Sequence, residues 1–296
     1  MIKYISPTSL RMFYQDRTEF FLHYAVRDRM PQNQAMSVGA SFDAYVKSYI
    51  AERLGITGFE FEQLFETQVE EPNRVWAREA GAICFKTYKD SGALADLMGE
   101  ISVARHTPRM ESRVEGHVGE VPMMGKPDLY FITKEGEHAI WDFKVNGYCS
   151  ASGRSPTKGY INCRGSWGRN GVHKDAQVMR IGGLLVNITC GLEELDTSWA
   201  EQLCIYAWCL GEEIGGKFIV GIEQLACSSR GIRVASFRNR VSLAFQAELR
   251  NRIVRMWTLL GRGHIFDDLT REESDLRCKA LRESESGGWI REAARS

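Results

Sequence analysis

The chain has 296 residues, 44% of them hydrophobic and 26% charged, and its 38 Lys and Arg balance its 38 Asp and Glu. That length is enough to bury a sizeable core, as one large domain or two modest ones. Zero net charge excludes the broad Lys and Arg excess of a protein that wraps nucleic acid over a wide face, but not an acidic metal cluster balanced by basic residues elsewhere.

Residues 6–30 read as a helix, with Ser6 as cap, Pro7 in the first position and Leu10, Phe13, Tyr14, Phe20, Phe21 and Tyr24 as its apolar stripe. Helices follow over 36–53 and 73–98, the latter burying Trp76, Ala80, Ile83, Phe85, Tyr88 and Leu94; Gly81 and Gly92 either weaken it or mark close packing. After residue 110 the period changes to two. Segments 111–121, 123–132 and 138–145, the last two joined by Lys134-Glu135-Gly136, predict a three-stranded antiparallel meander. Segment 146–197 is rich in Gly, Ser and basic residues, lacks periodicity, and reads as a long functional loop or a partly disordered one. Residues 198–211 predict a helix apolar almost all round, and therefore central. Strands over 217–225 and 230–237, a helix over 240–260 and a charged tail complete the chain. The whole reads as one domain over 1–296: a helical part over 1–100, a core over 111–240 that carries the 146–197 insertion, and a C-terminal helix and tail over 241–296.

Eight Cys, at 84, 149, 163, 190, 204, 209, 227 and 278, form no CxxC pair. They fit free thiols in a reducing compartment, and Cys149, Cys163 and Cys190 lack the spacing of a zinc or iron–sulfur site. No apolar h-region opens the chain and no run of about 20 apolar residues occurs. The expected setting is cytoplasmic, with no membrane partner.

The chemistry concentrates in the middle of the chain. In a strand, Asp142 and Lys144 share one face and Phe143 takes the other. Inward charges in an apolar strand are costly unless paired or bound to metal. A hairpin can bring Asp128, which follows Pro127, beside Asp142. Two such carboxylates suit a hard cation such as Mg²⁺ or Mn²⁺, with Lys144 facing the same cavity. That set matches phosphodiester hydrolysis. A salt bridge from Lys144 to either aspartate explains the spacing as well.

Pro127-Asp128, with Gly125 before it, and Asp142-Phe143-Lys144 resemble the two halves of the PD-(D/E)xK nuclease motif. Gln202 and Tyr206, four residues apart on one helix face, resemble the QxxxY element of the RecB-like and Cas4-like exonucleases often found in phages. Ser6-Pro7-Thr8-Ser9-Leu10 resembles that branch's usual N-terminal helix start. The resemblance runs from the start of the chain to about residue 237. It implies an α/β fold: a restriction-endonuclease-like core with a central mixed β-sheet flanked by helices, a helical N-terminal part, and a long insertion after the third core strand. It further implies a Mg²⁺- or Mn²⁺-dependent deoxyribonuclease, an exonuclease, with catalytic residues Asp128, Asp142, Lys144, Gln202 and Tyr206. DNA is the implied partner, with room for a homo-oligomer or for a phage recombination or replication protein.

Two positions on the N-terminal side of this site stay open. Asp43, in Val38-Gly39-Ala40-Ser41-Phe42-Asp43, stands where related proteins carry a histidine, and is either a metal ligand or a surface helix residue. Glu115, with Glu111 and Glu120 in the same acidic stretch, is either a further ligand or part of a solvated strand face; His117 beside it reads as polar surface. The Cas4-type cysteine cluster is absent, as is any phosphate-binding Gly-x-x-x-x-Gly-Lys-Ser/Thr loop. In the insertion, Arg154, Lys158, Arg164, Arg169 and Lys174 either meet phosphates, with Tyr160 and Trp167 stacking on unpaired bases, or belong to a flexible solvated loop. A second basic zone from Arg230 to Arg262 either lines a DNA channel or matches the acidic tail, including Asp267. Replacement of the histidine by Asp43 keeps an alternative alive: a catalytically weak or inactive member that binds DNA or serves an assembly. A metal-dependent hydrolase of another kind would instead require a small-molecule pocket.

Overall fold

The structure, a computed structural model, describes residues 2–26, 31–146, 178–181, 184–187, 191–228 and 231–293. The first expected helix is two. Ser6 opens α1 (Pro7–Gln15) through a capping box with Ser9, and Asp16, in extended conformation, ends α1 and caps α2 (Arg17–Ala25) by accepting from Glu19 N at 3.0 Å. One residue serves both ends, so the apolar stripe continues through a corner. Asn33 caps α3 (Gln34–Leu54), and Gly55, at φ 67°, terminates it. Next come α4 (Phe61–Gln68), a 3₁₀ turn (Glu71–Asn73) and α5 (Arg74–Asp90). The helix expected over 73–98 breaks at Gly92, whose φ of 89° no side chain adopts cheaply, and α6 (Ala93–Ser102) starts anew. Gly81 stays helical and lets α5 lie against Ser41 of α3.

The three-stranded meander does not form. Strands β1 (Arg109–Met110), β2 (Val114–Val118), β3 (Val121–Gly125), β4 (Leu129–Ile132) and β5 (His138–Asn146) divide between two sheets. β2 and β3 are a hairpin of their own, because the segment over 123–132 breaks after Gly125, where Pro127 offers no N–H to a ladder. β6 (Val178–Ile181), β7 (Leu184–Asn187) and the short helix α7 (Leu192–Leu195) lie in the stretch expected to be structureless. Then follow α8 (Thr197–Cys209), β8 (Ile219–Ser228), β9 (Gly231–Asn239), α9 (Leu243–Arg262) and α10 (Arg271–Ala293), the last being helix where the sequence showed only a charged tail.

The main sheet has the order β1-β4-β5-β8-β9. β4 and β5 are antiparallel, β5 and β8 parallel, β8 and β9 antiparallel, so the sheet is mixed as expected. The insertion leaves from the end of β5, the third strand of this sheet in chain order. Alternation along the strands sorts side chains to two cores. Tyr130, Ile140, Val220 and Ile222 pack with α8, and Leu129, Phe131, Trp141 and Phe143 pack with Phe42, Val46 and Tyr88 of α3 and α5. α8 is buried from Trp199 to Cys209 except at Gln202, in keeping with its apolar circumference. Each large apolar side chain so buried contributes about 1.5–3 kcal/mol.

Candidate metal centre

β5 carries Asp142 and Lys144 on the α8 face of the sheet, and α8 presents Gln202 and Tyr206 to them from one side of the helix. Asp142 is buried at 3% exposure. Its Oδ1 accepts from Gln202 Nε2 at 2.9 Å, and its Oδ2 pairs with the Lys144 ammonium. Lys144 Nζ also donates to Gln202 Oε1 at 2.7 Å, and Gln202 Nε2 donates to the Tyr206 hydroxyl at 2.9 Å. One amide thus fixes the acid, the amine and the phenol together. The same spot explains Gly125: a Cβ there would fall 2.3 Å from Tyr206 Cδ1.

Asp128, just before β4, reaches across to β5 and accepts from Phe143 N at 2.9 Å through Oδ2. Its negative charge bears on the neighbouring Asp142. Its other oxygen meets the Lys47 ammonium at 2.7 Å. Lys47 stands one helical turn beyond Asp43 on α3, fully buried, and also binds Asp43 Oδ2 at 2.5 Å and the Glu111 carboxylate. Asp43, Glu111 and Asp128 each offer an oxygen within 4.8 Å of the others, so these three converge as a cation site would require. Asp142 adjoins the triad through Asp128 rather than belonging to it.

Electrostatics follow from this crowding. Burial pushes the Asp43 carboxyl up, and the negative charge of Asp128 adds to the push while Lys47 opposes it. Asp142 is likewise raised, by burial and then by Asp128, against the pull of Lys144. Burial also works against the Asp128 anion, but Lys47 and the Phe143 N–H outweigh it and hold this carboxyl below the usual range. Burial disfavours the Lys47 ammonium, yet Asp128 and Asp43 overcome it and keep the amine charged. Two acids reluctant to ionise beside one held ionised is the electrostatic profile of a site short of positive charge. The buried Oδ1 of Asp43 has no hydrogen-bond partner, which leaves one donor oxygen ready for a cation. The donor set is all carboxylate oxygen, the chemistry a hard divalent ion takes.

Of the two open positions, Asp43 is brought into this cluster and Glu115 is not. Glu115 lies on β2 opposite Met124, pairs with Arg113 at 2.6 Å, and its side chain is 64% exposed. Glu111 holds the place instead. It has φ 53°, alone among the described non-glycine residues in the left-handed region, a strain that persists where surrounding structure imposes it. Short β1 beside β4 sets it there, its N–H facing Asp128 O at 3.4 Å. Position in an acidic stretch was its only trace in the sequence. His117 is exposed. Arg154, Lys158, Tyr160, Arg164, Trp167, Arg169 and Lys174 lie outside the described residues, as do Cys149, Cys163 and Cys190.

In the second basic zone, Arg238 pairs with Glu100, Arg240 with Glu137, Arg252 with Glu201 and Arg255 with Asp267. Internal charge matching therefore accounts for much of it. A cleft lined by Glu100, Thr133, Glu135 and Arg238, among others, shares no residue with the acidic cluster. No helix among the described residues is long and apolar enough to cross a membrane.

No family model matches the chain, and no curated protein matches it. Among solved structures, one described as the crystal structure of SSO0001 aligns over 83% of this chain and 85% of its own, at 12% identity and a TM-score of 0.27. That likeness is too slight to bear on fold or function. The established result is a mixed α/β fold with an acidic cluster able to coordinate a divalent cation.

Proposed function

We propose that the chain is a metal-dependent deoxyribonuclease of the RecB-like and Cas4-like PD-(D/E)xK kind, an exonuclease on a restriction-endonuclease-like core. One observation carries the reading: the convergence of Asp43, Glu111 and Asp128 directly beside the linked set Asp142, Lys144, Gln202 and Tyr206. A coincidental salt bridge would need only Asp142 and Lys144. It would not need a second cluster of carboxylates sharing Asp128's surroundings.

The triad would hold Mg²⁺ or Mn²⁺, and such an ion, when bound, supplies polarisation of a phosphoryl oxygen and a lowered pKa of water. The chain's own groups supply the rest. Lys144 places a positive charge at the edge of the cluster, suited to offset negative charge on a phosphate. Gln202 holds that ammonium and the Asp142 carboxylate in fixed relation, so neither must reorganise during reaction. Tyr206 braces Gln202. Basic residues of the insertion remain the proposed contacts to the DNA backbone, and a homo-oligomer or a phage recombination partner remains part of the proposal.

One observation favours a second reading. Lys47 already neutralises part of the triad, as it would in a family member that binds DNA or serves an assembly without cutting. The test is incubation with end-labelled linear duplex and single-stranded DNA and Mg²⁺ or Mn²⁺, repeated with Asp128→Ala and Lys144→Ala. Loss of cleavage in both variants is expected. Undiminished cleavage by both removes the active-site assignment, and DNA binding without cleavage by the wild type selects the second reading.

A further inference from the structure

Fully buried lysines are rare unless paired, and Lys47 is paired three times over. An ammonium has three N–H donors and no acceptor. Here they meet one carboxylate each, from three separate parts of the chain: Asp43 on α3, Glu111 after β1 and Asp128 before β4. These are the same three residues whose oxygens lie within 4.8 Å of one another. The amine therefore sits among the oxygens that a divalent cation would need.

Resting on the metal-site reading above, we propose that Lys47 is a tethered competitor for the divalent cation. Its ammonium closes the triad when the ion is absent and must leave the triad when the ion binds. The charge balance supports exchange rather than joint occupancy. Three carboxylates against the Lys47 and Lys126 ammoniums leave one negative charge. A divalent ion added with Lys47 still in place would put two cations among the same three carboxylates, and their mutual repulsion is costly beside a fully buried ammonium. Coordination points the same way. Three N–H groups satisfy three oxygens and leave Asp43 Oδ1 without a partner, whereas Mg²⁺ or Mn²⁺ takes more oxygen donors than an ammonium does. Finally, the left-handed backbone of Glu111 keeps its carboxylate turned toward the cluster, so the site is held in shape whichever cation fills it. The consequence is a protein whose acidic site does not repel itself apart in the metal-free state, and whose metal affinity is set by the ion pairs the metal must break.

The test uses the full chain and Mn²⁺ as probe. Native amine labelling read by mass spectrometry follows Lys47, with the exposed Lys86, which pairs with Asp90 and not with the cluster, as internal reference. Lys47 is expected to be protected without metal and labelled at saturating Mn²⁺. In parallel, Lys47→Met is expected to bind Mn²⁺ by calorimetry about tenfold more tightly or better, since about 1.4 kcal/mol is a factor of ten. Protection that persists with Mn²⁺ bound overturns the proposal, as does equal or weaker Mn²⁺ binding by Lys47→Met, or no Mn²⁺ binding by either protein. If Lys47→Met does not fold, labelling of the wild type decides alone. Cleavage of DNA is scored separately: Mn²⁺-dependent exposure of Lys47 without cleavage defeats the nuclease reading and leaves this one standing.

Discussion

Two buried carboxyls, Asp142 on β5 and Glu223 on β8, lie on neighbouring strands and face opposite sides of the same sheet. Phe143 is in register with Glu223, so Asp142 is one residue away and turned to the other core. Burial raises both. Glu223, fully buried, reaches about 8, eased down by Ser236, Trp141 and Tyr88. Its partners are all neutral donors: Trp141 Nε1 at 3.1 Å, the Ser236 hydroxyl and the Tyr88 phenol. Asp142 instead has an ammonium, a second carboxyl and an amide that is itself shared. Desolvation alone does not mark a functional acid. Glu223 is an acid kept neutral in a closed core, while Asp142 shares its surroundings with the Asp128 carboxyl and with the Lys144 and Lys47 ammoniums.

The largest expected effect is on the charged side. Lys144→Ala should lower DNA cleavage by about a thousandfold or more, roughly 4 kcal/mol of transition-state stabilisation, measured as single-turnover rate with fold checked by circular dichroism. A residual rate within tenfold of wild type would make Asp142 as structural as Glu223. On the closed side, Gly221→Ala should destabilise by about 1–3 kcal/mol in urea unfolding, since the new Cβ would fall 2.0 Å from the Trp141 ring, and a neutral outcome would show that the Trp141–Glu223 core can shift.

The third prediction separates the two acids by pH. A carboxyl raised in the folded state from 4.5 to about 8 binds its proton more tightly there than in the unfolded chain. Its stabilising contribution is therefore full below the unfolded value and is lost as pH rises toward 8. The metal-free melting temperature should fall across that window, and Glu223→Gln, a neutral isostere, should visibly flatten the fall; the same slope in the variant would contradict a protonated Glu223. Asp43 and Asp142, also raised, leave part of the slope in place. Smaller still, Tyr206→Phe should cost about tenfold in cleavage, the worth of one hydrogen bond to Gln202, and a silent variant would limit Tyr206 to packing on Gly125. Smallest, Glu115→Ala should change stability by about 0.5 kcal/mol or less and leave Mn²⁺ affinity unaltered; a loss of affinity would return Glu115 to the metal site.

How much of this was legible before the fold follows from sequence distance. Asp142 and Lys144 are two apart in a strand, and Gln202 and Tyr206 four apart in a helix, so periodicity alone puts each pair on one face. Asp128 needed only a hairpin, and β4–β5 provides it. Glu111 and Lys47 were not legible as site residues. Glu111 depends on a two-residue strand and a left-handed turn, and Lys47 on the angle at which α3 meets the sheet. Neither leaves a periodic trace. Glu115 was open between a ligand and a solvated strand face because its strand precedes Asp128, and the break before Asp128 leaves its hairpin outside the main sheet. Glu223 went unnoticed for the opposite reason: an acid in Lys217-Phe218-Ile219-Val220-Gly221-Ile222-Glu223 looks like a strand's polar face until Trp141, Ser236 and Tyr88 are seen to enclose it.

The most direct measurement is the fate of end-labelled linear duplex DNA with the wild-type chain, in Mn²⁺ and in EDTA. The acidic cluster beside Lys144 predicts shortening of the label in Mn²⁺ and intact DNA in EDTA. Intact DNA in both, with DNA still bound, or equal degradation in both, would contradict a metal-dependent nuclease.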